Sequence, residues 1–128
     1  MEPEKQKLRI LLVEDEAMVA MMICDMVADS GHEISSVEPD EERALKAIAT
    51  QSPDLAILDV NLGGKPSYAV AEALANRGIP FLFSTGYGIR GLEPEYAHIP
   101  MLQKPFTQED LEKALDAAYR GSRESCEP

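Results

Sequence analysis

A chain of 128 residues is the size of one ordinary domain and can bury about two thirds of the surface its unfolded form exposes, so it needs no disulfide or metal staple. Its 23 acidic side chains against 12 basic ones leave a net charge of −11, which repels phosphate backbones and argues against a direct nucleic-acid partner. Cys24 and Cys126 give neither a disulfide framework nor a metal-ligand spacing. No apolar run reaches membrane-span length, and the amino terminus lacks an apolar signal core, so the expectation is a cytoplasmic protein with no membrane insertion.

Taken in order, Leu8 to Val13 reads as a first strand, stopped by the acidic cluster Glu14-Asp15-Glu16. Val19, Met22, Ile23, Met26 and Val27 then recur at spacings of three and four, predicting an amphipathic helix that ends near Gly31. Four of the six methionines lie in it, and flexible core filler is a better reading for them than a binding groove. Glu33 to Val37 is polar enough for an edge strand. Asp40 can cap a second helix carrying Ala44, Leu45 and Ile48.

Leu55 to Asn61 is an apolar run too short for a helix, bounded by Pro53-Asp54 and Gly63-Gly64. It predicts a strand buried on both faces, with Asp59 delivered at its carboxyl end. Ser67 can cap a third helix through Val70 and Leu74, stopped by Gly78. Phe81 to Ser84 is a fourth strand delivering Thr85, and a short fifth around Met101 to Gln103 delivers Lys104-Pro105. Thr107 and Asp110 make a capping-box start to a last helix with Leu111, Ala114, Leu115, Ala118 and Tyr119 on one face. From Gly121 the chain reads as a polar, frayed tail, so one domain spans 1–128 with its ordered core at about 7–120.

Five strands alternating with helices through right-handed crossovers predict an α/β, doubly wound, five-stranded parallel sheet of order 2-1-3-4-5, the flavodoxin-like arrangement. The fourth crossover is different. Glycines at 86, 88 and 91 and Pro94 permit only a short or irregular fourth helix there, and predict a mobile, signal-bearing surface. Ligands of such sheets bind outside the carboxyl ends of the strands, where this chain places Glu14-Asp15, Asp59, Thr85 and Lys104. Three crowded carboxylates stay ionised only if a cation offsets them, and Mg²⁺ suits one or two carboxylates plus a phosphate. A hydroxyl and an ammonium opposite them suit phosphoryl oxygens. His32 and His98 read as solvated side chains. Gly63-Gly64-Lys65 is no phosphate loop, because Asp59 stands where that motif needs its first glycine.

These residues, in order and at strand ends, resemble the receiver domain of two-component response regulators, of the stand-alone kind, over nearly the whole chain. The resemblance implies that Glu14 and Asp15 bind Mg²⁺, that Asp59 is the phosphoacceptor, and that the backbone carbonyl of Asn61 completes the metal site. It likewise makes Thr85 the switch hydroxyl and Lys104 the phosphoryl-binding lysine, followed by a cis Pro105. Phe83-Ser84-Thr85-Gly86-Tyr87 resembles the Phe-Ala-Thr-Gly-Tyr signature of a subgroup of stand-alone receivers. Met101 stands where most receivers carry an aromatic that turns inward, which leaves Tyr87 as the nearest ring for a switch also involving Gly86. Gly63 replaces the usual proline of the loop after the phosphoacceptor.

The implied function is a switch, not an enzyme beyond its own modification. Asp59 would take a phosphoryl group from a sensor histidine kinase or a histidine phosphotransfer protein, and the change of shape would alter contact with a downstream protein. A phosphate sink or relay intermediate is the alternative. A haloacid-dehalogenase-type phosphatase fits poorly, since its nucleophile follows the first strand and precedes a second Asp by two residues, where this chain has Asn61. A pseudo-receiver without phosphorylation fits poorly too, because the acidic, threonine and lysine positions are intact.

Overall fold

The computed structural model describes residues 7–86 and 94–126, with side chains described as far as Arg120. β1 (Arg9–Val13) leads into α1 (Ala17–Asp29), and β2 (Glu33–Glu38) into α2 (Glu41–Gln51). β3 (Leu55–Asp59) passes through a small hairpin of β4 (Asn61–Leu62) and β5 (Lys65–Pro66) into α3 (Tyr68–Asn76). β6 (Phe81–Thr85), β7 (Met101–Gln103) and α4 (Gln108–Cys126) follow. The main sheet is parallel, in the order β2-β1-β3-β6-β7, which is the predicted 2-1-3-4-5.

Alternation along the strands divides the core in two. Ile10, Leu12, Leu55, Ile57, Leu82 and Leu102 pack against Ile23 and Val27 of α1 and Leu111 and Leu115 of α4. Leu11, Val13, Ala56, Leu58, Phe81 and Phe83 pack on the other side, against Ala44 and Ile48 of α2 and Val70 and Leu74 of α3. β1, β3 and β6 therefore have no solvent face, which is why they read as unbroken apolar runs, whereas β2 is largely polar and lies at an edge.

The helix ends follow their capping chemistry. Asp40 accepts from the Arg43 N–H at 2.8 Å, and Thr107 and Asp110 satisfy each other's backbone N–H groups at 3.1 Å each. Gly78 holds φ +70 and donates to the Ala75 carbonyl, closing α3. The backbone of α4 continues through Gly121 to Cys126, into the stretch expected to fray, since one glycine costs a helix only about 1 kcal/mol.

Four expectations need correction. Met18, Met21 and Met22 are not core filler: they are 83%, 68% and 41% exposed, while Ala20, Ile23 and Val27 supply the buried stripe of α1. The apolar positions of that helix outnumber the ones its core face can bury. His32 is buried, not solvated, and its Nδ1 accepts from the Leu8 N–H at 3.0 Å, so the imidazole closes the start of β1. Ser67 stands at the N-cap of α3 but makes no side-chain cap, because its hydroxyl is engaged elsewhere. The glycine loop after β3 is a hairpin, with Gly63 and Gly64 at φ +58 and +85.

Residues 87–93 lie outside the described residues, and with them Tyr87 and most of the glycine-rich crossover. The described part of that crossover holds one three-residue 3-10 turn, Pro94–Tyr96, in keeping with a short or irregular fourth helix. No described helix is long and apolar enough to cross a membrane.

Candidate functional site

Parallel strands deliver their ends to one edge of the sheet, and three of them bring the charged groups together there. Glu14 follows β1 and is held by its own N–H on the Glu38 carbonyl at 3.1 Å. Asp59 is the last residue of β3, in register with Ser84 of β6. Lys104 follows β7, where its N–H donates to the Thr85 carbonyl at 2.8 Å and its peptide bond to Pro105 is cis.

From that anchor the Lys104 ammonium reaches back across the sheet. It donates to Glu14 Oε1 at 2.6 Å and to Asp59 Oδ2 at 3.1 Å. The side chains are 16% exposed for Lys104, 0% for Glu14 and 10% for Asp59, so solvent screens this pair of contacts poorly. Burial pushes the Glu14 carboxyl up from its ordinary value, against the pull of the Lys104 hydrogen bond. For Lys104, burial alone would favour the neutral amine, but the Glu14 hydrogen bond and the Asp59 charge outweigh it and hold the pKa above its ordinary value. The group is an ammonium at any physiological pH.

The remaining carboxylate oxygens are held by backbone. Glu14 Oε2 accepts from the Glu16 N–H at 3.1 Å, and Asp59 Oδ1 from the Asn61 N–H at 3.1 Å. Asp15 is exposed, and its Oδ2 accepts from the Gly63 N–H at the hairpin tip, at 3.1 Å. Proline at position 63 could not make that bond. Ser67 Oγ donates to the Asp59 carbonyl at 2.6 Å, fixing the peptide that carries the carboxylate.

One oxygen each from Glu14, Asp15 and Asp59 lie within 4.8 Å of one another. Three carboxylates against one ammonium leave an excess of negative charge, and an all-oxygen donor set suits a hard dication such as Mg²⁺. Among the sequence-predicted residues, Glu14, Asp15, Asp59 and Lys104 therefore meet in one cluster, with Asn61 touching Asp59 through its N–H. Thr85 is buried at the end of β6, one residue past the register partner of Asp59, and Gly86 follows it at the surface. Met101 is half-buried and packs on the α2/α3 side of the sheet, away from the ion pair.

Three participants escaped the sequence. Ser67 was read as a helix cap, Gly63 only as a departure from proline, and Tyr96 not at all. The Tyr96 ring stacks on Tyr68 at 5.1 Å and meets Phe83 edge-on at 5.8 Å, tying the β6–β7 crossover to α3 and β6. Its one signal was an aromatic within a glycine- and proline-rich stretch.

This parallel sheet, with an acidic cluster and a lysine converging at its carboxyl edge, is the framework of a phosphoaccepting signalling domain. Residues 10–116 match the response regulator receiver domain, and the chain belongs to that family. A transcriptional regulatory protein, PdtaR, of Mycobacterium tuberculosis is 30% identical over 120 residues, covering 91% of this chain and 58% of its own length. The chain spans little more than half the length of the curated relatives it matches. The solution structure of SdrG from Sphingomonas melonis superposes with a TM-score of 0.80 at 42% identity, covering 88% of this chain and 96% of that one. The receiver domain of Erythrobacter litoralis PhyR gives 0.77 at 26% identity, over 88% and 89%. As a receiver, the chain undergoes phosphorylation within its acidic cluster and mediates signalling contacts, and its chemistry is confined to its own modification.

Proposed function

We propose that this chain is a response regulator receiver in which Asp59 accepts a phosphoryl group from the phosphohistidine of a sensor histidine kinase or a histidine phosphotransfer protein. The observation that carries this is the position of the Lys104 ammonium, shared between Asp59 and Glu14 beside the oxygens of Asp15. An Asp59 carboxylate oxygen attacks phosphorus, the P–N bond breaks, and the imidazole leaves with the bonding pair. Lys104 meets the phosphoryl oxygens as they arrive, and Thr85 donates its hydroxyl to one of them. Glu14, Asp15, Asp59 and the Asn61 carbonyl would hold Mg²⁺, which would supply positive charge to offset the negative charge gathered on the phosphoryl oxygens.

The reading extends to the surface around the site. Met18, Met21 and Met22 offer an exposed apolar face on the helix that begins two residues after Asp15, suited to a protein phosphodonor. The resemblance of Phe83-Ser84-Thr85-Gly86-Tyr87 to the Phe-Ala-Thr-Gly-Tyr signature supports a place among the receivers that carry it. Movement of Thr85 and Gly86 toward the phosphoryl group is then passed along the β6–β7 crossover to a downstream protein. Intact-mass measurement with a small phosphodonor and Mg²⁺ should show one phosphoryl addition, absent in Asp59→Asn. Equal labelling of that variant would reject the assignment.

A further inference from the structure

Lys104 leaves β7, yet its ammonium contacts Asp59 on β3 and Glu14 beyond β1. In the sheet order β1-β3-β6-β7 its stem must therefore cross the end of β6. Neighbouring strands lie about 4.8 Å apart, so the crossing is close to the residue that β6 presents on that face. That residue is Ser84. It is in register with Asp59 and with Leu102, and it alternates with Leu82, which belongs to the α1/α4 face.

Ser84 is 1% exposed, and its hydroxyl has no hydrogen-bond partner. A buried hydroxyl without a partner is costly and uncommon, and an apolar side chain would fill the place without that cost. Lys104 supplies the complementary need: an ammonium carries three donors, and two acceptors hold it here. Of those two residues, Glu14 also belongs, with Asp15 and Asp59, to the acidic cluster that suits a dication. Two cations cannot share that carboxylate closely without repelling each other.

We propose that Ser84 is a positioning residue of the phosphoryl-accepting site. When a dication takes Glu14 and a phosphoryl group extends Asp59, the Lys104 ammonium shifts off Glu14, and Ser84 Oγ accepts one of its N–H bonds while another meets the phosphoryl oxygens. The hydroxyl is thus unpaired in the free protein and paired in the loaded one. This rests on Asp59 being the phosphoacceptor.

The test is Ser84→Ala, with the melting temperature of the free protein and its affinity for beryllofluoride in the presence of Mg²⁺ both measured. The expected result is a free protein that melts no lower than wild type and binds beryllofluoride roughly three- to tenfold more weakly, the worth of one net hydrogen bond. A role in packing alone would lower the free protein's melting temperature and leave the affinity unchanged, and that result overturns the proposal. Equal affinities in the two proteins, with the wild type responding, overturn it as well. A wild type that does not respond to beryllofluoride at all would instead remove the reading of Asp59 on which the inference rests.

Discussion

On the α1/α4 face of the sheet, Glu14, Asp59, Ser84 and Lys104 continue the alternation of Leu12, Ile57, Leu82 and Leu102, so the core passes directly into the charged cluster. On the α2/α3 face, Phe81 and Phe83 pack edge to face at 5.5 Å, and Phe83 meets Tyr96, which stacks on Tyr68. One face ends in chemistry and the other in a chain of rings. They come closest on β6, where Ser84 belongs to the first face and Thr85, by alternation, to the second. A shift of that one peptide unit reaches the ion pair and the rings together, which offers a physical route for a signal across a sheet whose interior is otherwise apolar.

If the two faces are separable, a mutation among the rings should alter stability without altering cation binding, and the loss of an exposed cluster carboxylate should do the reverse. The largest effect belongs to Phe83→Ala, a fully buried ring whose removal should cost about 3–5 kcal/mol by denaturant midpoint. Mg²⁺ affinity, measured by titration at a temperature where the variant is folded, should not change. A matching loss of Mg²⁺ affinity would show the faces to be coupled already in the free protein.

Lys104→Met breaks the other face. It leaves Glu14 buried without its ammonium, at a cost of about 2 kcal/mol. Because the ammonium competes for the Glu14 carboxylate, this variant should bind Mg²⁺ at least as well as wild type while its response to phosphorylation weakens. Asp15→Ala should lose Mg²⁺ binding and leave stability nearly unchanged, since its carboxylate is exposed and holds one backbone N–H. A titration ranking these two variants in the opposite order would refute the division of roles.

Tyr96→Leu sharpens the comparison at its outer end. It keeps much of the apolar bulk and removes the stacked and edge-on ring contacts, for a loss of about 1 kcal/mol. If the rings carry the signal, amide resonances of Tyr68 and Phe83 that move with beryllofluoride in the wild type should move less in this variant. Unchanged shifts would confine the ring chain to a structural role.

The fold was legible because parallel strands buried on both faces leave uninterrupted apolar runs, and the runs of β1, β3 and β7 each lead into a charged residue of the cluster. Glu14, Asp15, Asp59 and Lys104 could be named for that reason. What could not be read were contacts that depend on where a backbone N–H or a hydroxyl points. Ser67 has the residue type of a helix cap, and only the turn after the hairpin aims its hydroxyl at Asp59. Gly63 reaches Asp15 across 48 positions of sequence, through a hairpin too short to leave a strand pattern. The methionines of α1 misled because apolar spacing reports a helix with an apolar face, while its width against the core is settled only by packing.

That misreading yields the smallest stability effect and the most selective functional one. Met18 and Met21 are 83% and 68% exposed, so Met18→Glu and Met21→Glu should each change stability by no more than about 0.5 kcal/mol. Neither residue belongs to the acidic cluster, so phosphorylation by a small phosphodonor should proceed at the wild-type rate. Transfer from a protein phosphodonor is different, because that donor must reach the acidic cluster and the exposed methionine face lies on the helix that begins two residues after Asp15. Two added carboxylates put charge into that contact on a chain whose net charge is already −11. The double variant should therefore accept phosphoryl groups from a histidine kinase or phosphotransfer protein at least tenfold more slowly, with its small-molecule rate unchanged. Equal slowing with both donors would place the defect in the site rather than at the docking face, and no slowing with either would show that α1 presents its methionines to something other than the phosphodonor.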